Sequence, residues 1–229
     1  VAILGADPVS DPDSVLRHVR RVFRDRWGVR WVAPLGFQNT YAIAVTRETA
    51  EAYDLATLSD LSREAPNLVA GLSPDFLGRP DGLPGLRDAY GAMDFDATRS
   101  LLQAVKYEAL VAGEVDVIDG YSTDGQIARY DLVVLDDDRG FFPAYQAVPL
   151  VGPGLWRDRP GAVAVLTELA GMFDEDMMRR WNRRIEVDGH ELADVASDAL
   201  LELRLLDAPT PTPTPTTTQG READLLTYI

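Results

Sequence analysis

The chain has 229 residues, 46% of them hydrophobic, so it can bury a core as one domain or as two small lobes. It has no cysteine, which rules out a disulfide, a thiolate nucleophile and a cysteine-ligated metal. Its 37 acidic residues against 22 basic ones give a formal charge of -15, opposite to the clustered basic footprint that nucleic-acid binding requires.

The positive charge is almost all arginine, with Lys106 the only lysine. No apolar run approaches the roughly 20 residues that span a bilayer. The opening Val1-Ala-Ile-Leu-Gly5 is too short for a signal peptide, as expected of a segment cut from something longer.

In chain order, Ser10-Asp-Pro-Asp13 offers capping side chains to a helix with apolar residues at Val15, Leu16, Val19, Val22 and Phe23, ending before Gly28. Short strands are expected at 29–32 and 41–45, separated by the Pro34 and Gly36 bend. Thr57-Leu-Ser-Asp60 has the form of a capping box with aspartate at its fourth place. Leu68-Val-Ala-Gly71 reads as a buried strand, Ser73-Pro-Asp75 as a helix start, and Leu83-Pro-Gly-Leu86 as the start of a helix reaching about Gly91.

Residues 100–112 carry a helical stripe of Leu101, Leu102, Val105, Ala109 and Ala112 that Gly113 stops, with strands expected at 115–118, 131–135 and 147–151. Helices are expected over 161–171, 174–184 and 189–206. Strands alternating with helices indicate an α/β protein with mostly parallel sheets. The Pro-Thr repeats from Pro209 to Pro215 read as a stiff, extended linker, within a segment taken as 207–220.

Three segments carry the candidate chemistry: Leu35-Gly-Phe-Gln-Asn-Thr-Tyr-Ala42, Asp119-Gly-Tyr-Ser-Thr-Asp-Gly125 and Phe141-Phe-Pro-Ala-Tyr145. Each sets a tyrosine beside a strand-like run and a Gly or Pro bend, so Tyr41, Tyr121 and Tyr145 are expected at strand-to-loop junctions, where binding sites form. Together they suggest an aromatic cage for a small cation. Tyr53, Tyr90, Tyr107 and Tyr130 are expected in the core or at its rim. Asp136-Asp-Asp138 lacks the spaced ligands of a calcium loop and reads as a solvated turn, so no metal site is expected. His18 and His190 fall on or beside expected surface helices, no glycine-rich phosphate loop occurs, and no carboxylate pair is marked out, so neither an enzyme nor a cofactor is expected.

At these motifs the chain resembles the substrate-binding component of osmoprotectant ABC transporters, the extracytoplasmic receptors for glycine betaine, choline, carnitine and similar quaternary amines. The likeness runs from about residue 8 to 206. It rests on Gly36-Phe-Gln-Asn-Thr-Tyr41, Phe76-Leu-Gly-Arg-Pro-Asp-Gly82, Gly113-Glu-Val-Asp-Val-Ile-Asp-Gly-Tyr-Ser-Thr-Asp-Gly125 and Leu132-Val-Val-Leu-Asp-Asp-Asp-Arg-Gly-Phe-Phe-Pro-Ala-Tyr145.

The resemblance implies a two-lobed, hinged fold of the type II periplasmic-binding-protein class, lacking the N-terminal part of lobe I. Lobe I would combine 1–36 with 144–206 and lobe II would be 39–138, with the chain crossing near 34–38 and 138–143. Residues 221–229 would begin a following segment, faintly similar to the lead-in to a permease's membrane segment. The resemblance also implies a quaternary-amine ligand, an ABC permease subunit or fused permease domain as partner, and a location outside the cytoplasm, membrane-tethered or fused.

By the same resemblance Tyr41, Tyr121 and Tyr145 form walls of the cage, Asn39 orients the cationic head, and Arg79 reaches a ligand carboxylate. Thr40, Ser122, Thr123 and Asp124 are neighbouring hydrogen-bonding groups. Two other readings stay open from the residues: the same fold binding another small solute such as an amino acid or polyamine, and a module that keeps the fold without binding.

Overall fold

The structure is a computed structural model that describes residues 11–91 and 93–206. Ser10, the first ten residues of the expected outer lobe, the Pro-Thr linker and the segment 221–229 lie outside the described residues.

The first helix, α1 (Pro12–Trp27), is capped by the Asp11 side chain, which accepts from the Ser14 amide at 3.0 Å. It leads into β1 (Arg30–Trp31), and then into β2 (Tyr41–Val45), buried along its whole length. Next come α2 (Arg47–Ala52) and α3 (Leu58–Glu64), the latter started by the expected capping box of Thr57 and Asp60. Strand β3 (Val69–Leu72) runs into α4 (Pro74–Gly78), capped by Ser73, and α5 (Leu83–Tyr90) follows. The chain continues through β4 (Ala97–Ser100), α6 (Gln103–Val111), β5 (Val117–Tyr121), α7 (Gly125–Arg129), β6 (Val133–Val134) and β7 (Leu150–Val151). Four helices close the described chain: α8 (Pro153–Asp158), α9 (Pro160–Glu168), α10 (Glu175–Glu186) and α11 (Leu192–Glu202).

The larger sheet has five strands in the order β4-β3-β5-β2-β6. It is mixed rather than mostly parallel: β3 pairs parallel with β4 and β5, while β2 pairs antiparallel with β5 and β6. The alternation of strands and helices accounts for the parallel half. Strand β2 is reached from the small sheet instead, so it starts at the edge where β3 and β5 end and must run against them. The small sheet pairs β1 with β7 antiparallel, and the pairing extends past both strands: Val32 donates to the Pro149 carbonyl, Leu35 to Ala147 and Asn39 to Tyr145. The chain therefore passes between the two sheets twice, along two stretches that lie side by side.

Two apolar clusters sandwich the five-stranded sheet. One gathers Leu58, Leu61, Leu72, Phe76, Leu86 and Tyr90 against Ile43 and Val45; the other gathers Tyr107, Leu110, Val115, Ile127 and Leu132 against Ala44 and Ile118. A third cluster of Trp181, Val195 and Ala199 joins α10 to α11. Of the four tyrosines expected in core or rim, Tyr90 and Tyr107 are buried, and Tyr53 and Tyr130 are partly buried.

Helix α6 buries a face that overlaps the expected stripe only in part: Ala109 is buried and Leu101 packs partly buried against the second cluster. Leu102 and Val105 are 68% and 48% exposed, while Lys106, Tyr107, Ala109 and Leu110 are buried. An apolar pattern cannot reveal this, because the residue that fixes the buried face is a lysine held by an ion pair. The Asp136–Asp138 segment also departs from a solvated turn. Asp136 and Asp138 are exposed, but Asp137 is partly buried and accepts from the Tyr90 hydroxyl and from the Phe141 and Phe142 amides at 3.0 and 2.8 Å. It thereby fixes the segment that leads to Tyr145. Strand β4 and helices α2, α7 and α8 were not expected, being short or, in β4, exposed throughout.

Gly36 has φ +116, and a Cβ there would collide with the backbone carbonyl of Phe173. Both conditions call for glycine. Gly36→Ala is expected to lower unfolding free energy by about 2 kcal/mol or more, read as a lower urea midpoint.

Candidate functional site

In open α/β sheets ligands bind beyond the carboxyl ends of the parallel strands. Here β3 ends at Leu72 and β5 at Tyr121, and β2 begins at that same edge. The antiparallel register sets Tyr41 directly opposite Tyr121. Alternation along each strand then sends both side chains to one face. Their rings stack with centroids 5.4 Å apart and an interplanar angle of 17°.

Tyr41 is 9% exposed. Its other contacts are an edge-on approach to Phe76 at 5.0 Å and a tilted one to Phe142 at 6.0 Å. Burial, with Tyr121 adding to it, pushes the Tyr41 hydroxyl up to about 12, so it stays a neutral phenol at physiological pH. Tyr121 and Tyr145 are each 40% exposed and present free ring surface.

Arg79 and Asp81 follow α4 and form a bidentate ion pair, with Nε and one terminal nitrogen 2.8 and 2.7 Å from the two carboxylate oxygens. The Tyr145 hydroxyl donates to the same carboxylate at 3.2 Å. The hydrogen bonds from Arg79 hold the Asp81 carboxyl below the usual range, and Asp81 in turn raises the Arg79 guanidinium. Burial, and then the Asp81 charge, raises the Tyr145 phenol. Asp81 thus joins Tyr145 to Arg79, and the charges of Arg79 and Asp81 reach the Tyr41 phenol. Asp81 was not singled out in the sequence, although it lies inside the Gly-Arg-Pro-Asp-Gly motif; its bidentate geometry depends on how the turn after α4 folds.

The remaining expected residues are engaged with one another. The Thr123 hydroxyl donates to the Asn39 side-chain oxygen at 2.9 Å. Ser122 donates through its hydroxyl to the Gln38 carbonyl at 3.0 Å and accepts from the Thr40 amide at 3.2 Å. These bonds stitch the first crossing stretch to the loop after β5. The Thr40 hydroxyl is buried without a hydrogen-bond partner among the described residues. Asp124 accepts from the Tyr121 amide at 3.0 Å, the Tyr107 hydroxyl at 2.6 Å and Gln103 at 2.9 Å, which fixes the turn that carries Tyr121.

Helix α10 secures that turn from the other side. Arg179 donates to the Ser122 carbonyl at 2.6 Å and Asn182 to the Thr123 carbonyl at 2.8 Å. Gly125 lies so close that a Cβ there would sit 2.5 Å from the Arg183 amide nitrogen. Nothing in the spacing of Arg179 and Asn182 signals this, since both sit on an ordinary charged helix and act on backbone carbonyls some 57 to 59 positions away. A cavity of about 550 Å³ lies beside the site, lined among others by Gln38, Thr40, Tyr41, Ser122 and Arg179 but not by Tyr121, Tyr145 or Arg79.

Comparison with known proteins gives this geometry a family. The family model described as the substrate binding domain of ABC-type glycine betaine transport system matches residues 15–202. The carnitine transport binding protein OpuCC of Listeria monocytogenes is 33% identical over 190 residues, covering 82% of this chain and 61% of that protein. The ergothioneine transport permease/ergothioneine binding protein EgtU of Helicobacter pylori is 32% identical over 187 residues, covering 82% of this chain and 34% of that protein. The chain thus spans less than two thirds of these relatives' lengths.

A crystal structure titled as a glycine betaine/carnitine/choline ABC transporter superposes with a TM-score of 0.83 at 36% identity, over 89% of this chain and 75% of that one. A lactococcal OpuAC complexed with glycine betaine shares the fold at a TM-score of 0.53 and 18% identity. The mixed α/β architecture is that of the type II periplasmic binding proteins. The chain belongs to the family of substrate-binding domains of ABC-type glycine betaine transport systems.

Proposed function

We propose that this chain captures a small zwitterion bearing a quaternary ammonium and a carboxylate, glycine betaine first, and delivers it outside the cytoplasm to the permease of an ABC importer. The observation that carries this reading is the joining of a half-exposed tyrosine, Tyr145, to an Arg79–Asp81 ion pair. A trimethylammonium group has no N–H to donate, so it is recognised by the negative faces of aromatic rings and by nearby carboxylate charge. Tyr121 and Tyr145 offer those faces, Tyr41 backs the Tyr121 ring, and Asp81 supplies the charge.

Arg79 is the group for the ligand carboxylate, which reaches it by sharing or exchanging its contact with Asp81. Carnitine and ergothioneine, in the names of two relatives, are both trimethylammonium carboxylates, and this agrees with a site holding one charge of each sign. A polyamine would call for several carboxylates, whereas this site offers one, Asp81, and sets it beside a fixed positive charge, Arg79. We read the protein as a binder rather than an enzyme because its relatives are transport proteins by name. On this reading residues 39–138 form one lobe and 1–36 with 144–206 the other, and the paired crossing stretches are the hinge. Asn39, Thr40, Ser122 and Thr123 hold that hinge against the Tyr121 turn.

Isothermal titration of glycine betaine and choline tests the proposal. Tyr121→Ala is expected to weaken both ligands by about 5- to 30-fold, the loss of one ring of roughly 1–2 kcal/mol. Saturable binding that Tyr121→Ala leaves intact would sink the cage.

Arg79→Gln is expected to weaken glycine betaine by about tenfold or more while leaving choline within about threefold, because only the former brings a carboxylate. An equal loss for both ligands would assign Arg79 a structural role.

Glycine betaine affinity is expected to be level from about pH 5 to 9, since Asp81 is held below the ordinary carboxylate value near 3.9 and Tyr41 is raised above 10. Asp81 stays ionised and Tyr41 neutral across that range, so binding declines on the acid side only once pH falls below the ordinary carboxylate value. A midpoint near pH 6 to 7 would point to a different controlling group.

A further inference from the structure

The site is assembled from segments remote in sequence, Arg79 and Asp81 after α4 and Tyr121 at the end of β5. One buried group connects them. Lys106, the only lysine of the chain, reaches inward from α6 and places its Nζ 3.2 Å from the Asp119 carboxylate, with the two side chains 1% and 3% exposed. Asp119 also accepts from Ser73 twice, at 2.7 Å from the amide and 2.7 Å from the hydroxyl.

Asp119 stands two residues before Tyr121 on β5. Ser73 directly follows β3, caps α4 by accepting from the Phe76 amide at 3.3 Å, and starts the segment that carries Phe76, Arg79 and Asp81. The Phe76 ring in turn abuts Tyr41. A single carboxylate thus fastens both arms of the site, and Lys106 supplies its counter-charge where water cannot.

Buried ion pairs are poor stabilisers, because desolvation offsets their attraction and well-packed apolar replacements are often as stable. What an apolar pair cannot do is accept the two Ser73 hydrogens. We propose that Lys106–Asp119 is a positioning pair that sets Arg79 and Asp81 relative to Tyr121, and so governs how well the site distinguishes a carboxylate-bearing quaternary amine from one without a carboxylate. This rests on the betaine reading above. The pair touches no ligand; it acts through Ser73 and α4.

The test is the double variant Lys106→Met/Asp119→Leu in the full chain, with thermal unfolding and titration of glycine betaine and choline, choline by competition where it is weak. The expected result is a melting temperature lowered modestly, because the two Ser73 hydrogens lose their acceptor, with glycine betaine affinity down by about tenfold and choline affinity within about threefold, since Arg79 and Asp81 lose their aim while the ring faces remain. Ser73→Ala is expected to reproduce the selective loss with the ion pair intact, and Ser73→Thr to restore it; this pair of variants decides the matter if the double variant does not fold. An unchanged ratio of the two affinities, or an equal fall in both, overturns the positioning role alone. A parent chain that binds neither ligand overturns the betaine reading, and the positioning role with it.

Discussion

The antiparallel register between β2 and β5 is the constraint on which the rest of the site depends. It sets Tyr41 against Tyr121, Ile43 against Asp119 and Val45 against Val117. One pairing therefore fixes the stacked rings, the buried carboxylate and the apolar floor under both. Because the side-chain period of a strand is two, a slip of one residue would turn Tyr121 and Asp119 to the opposite face of the sheet. Burial on both faces of β2 opposes such a slip. Tyr41, Ile43 and Val45 belong to one apolar cluster and Ala44 to the other, so no alternative register buries both sets.

Around that register the polar groups divide into two kinds. Some are spent inside the protein: Asp137 holds the Phe141 and Phe142 amides, Asp124 holds Tyr107 and the Tyr121 amide, and Asp119 holds Ser73 and Lys106. Each is an aspartate accepting donors that the fold would otherwise leave buried and unpaired, which is costly. Others lie nearer the surface and stay partly solvated. Arg79 has a side chain 52% exposed, while its partner Asp81 is 14% exposed. The bidentate pair fixes the geometry of the turn after α4 while leaving the Arg79 side chain half in solvent.

Helix α10 contributes without supplying a ring or a charge to the site. Arg179 and Asn182 act on the carbonyls of Ser122 and Thr123, and the missing side chain of Gly125 lets the helix backbone close on α7. The turn bearing Tyr121 is thus gripped from behind by an element that follows the second crossing. The proposed cage would gain from such support, since each cation–π contact is small and is lost when the ring is free to turn away.

Much of the local structure follows from sequence alone. The capping boxes and N-caps at Asp11, Thr57 and Ser73 are short-range, and each starts the helix expected of it. Strand β2 lies where its apolar run indicates, and the motifs around Tyr41, Tyr121 and Tyr145 carry the likeness to the family. Strand direction, the buried face of α6 and the partners of Arg79 were decided only in three dimensions. The direction of β2 depends on the side from which the chain returns, which no local pattern encodes. The buried face of α6 is set in part by a lysine whose carboxylate partner sits 13 residues away on another element, so hydrophobic periodicity misplaces Leu102 and Val105 while placing Ala109 correctly. Asp81 acquires its place between Arg79 and Tyr145 because the turn after α4 and the second crossing stretch meet across 64 residues of sequence. Sequence determined which residue types were available and which helices would start; tertiary packing determined which charges met, because Coulomb and hydrogen-bond energies depend on distances that only the folded chain sets.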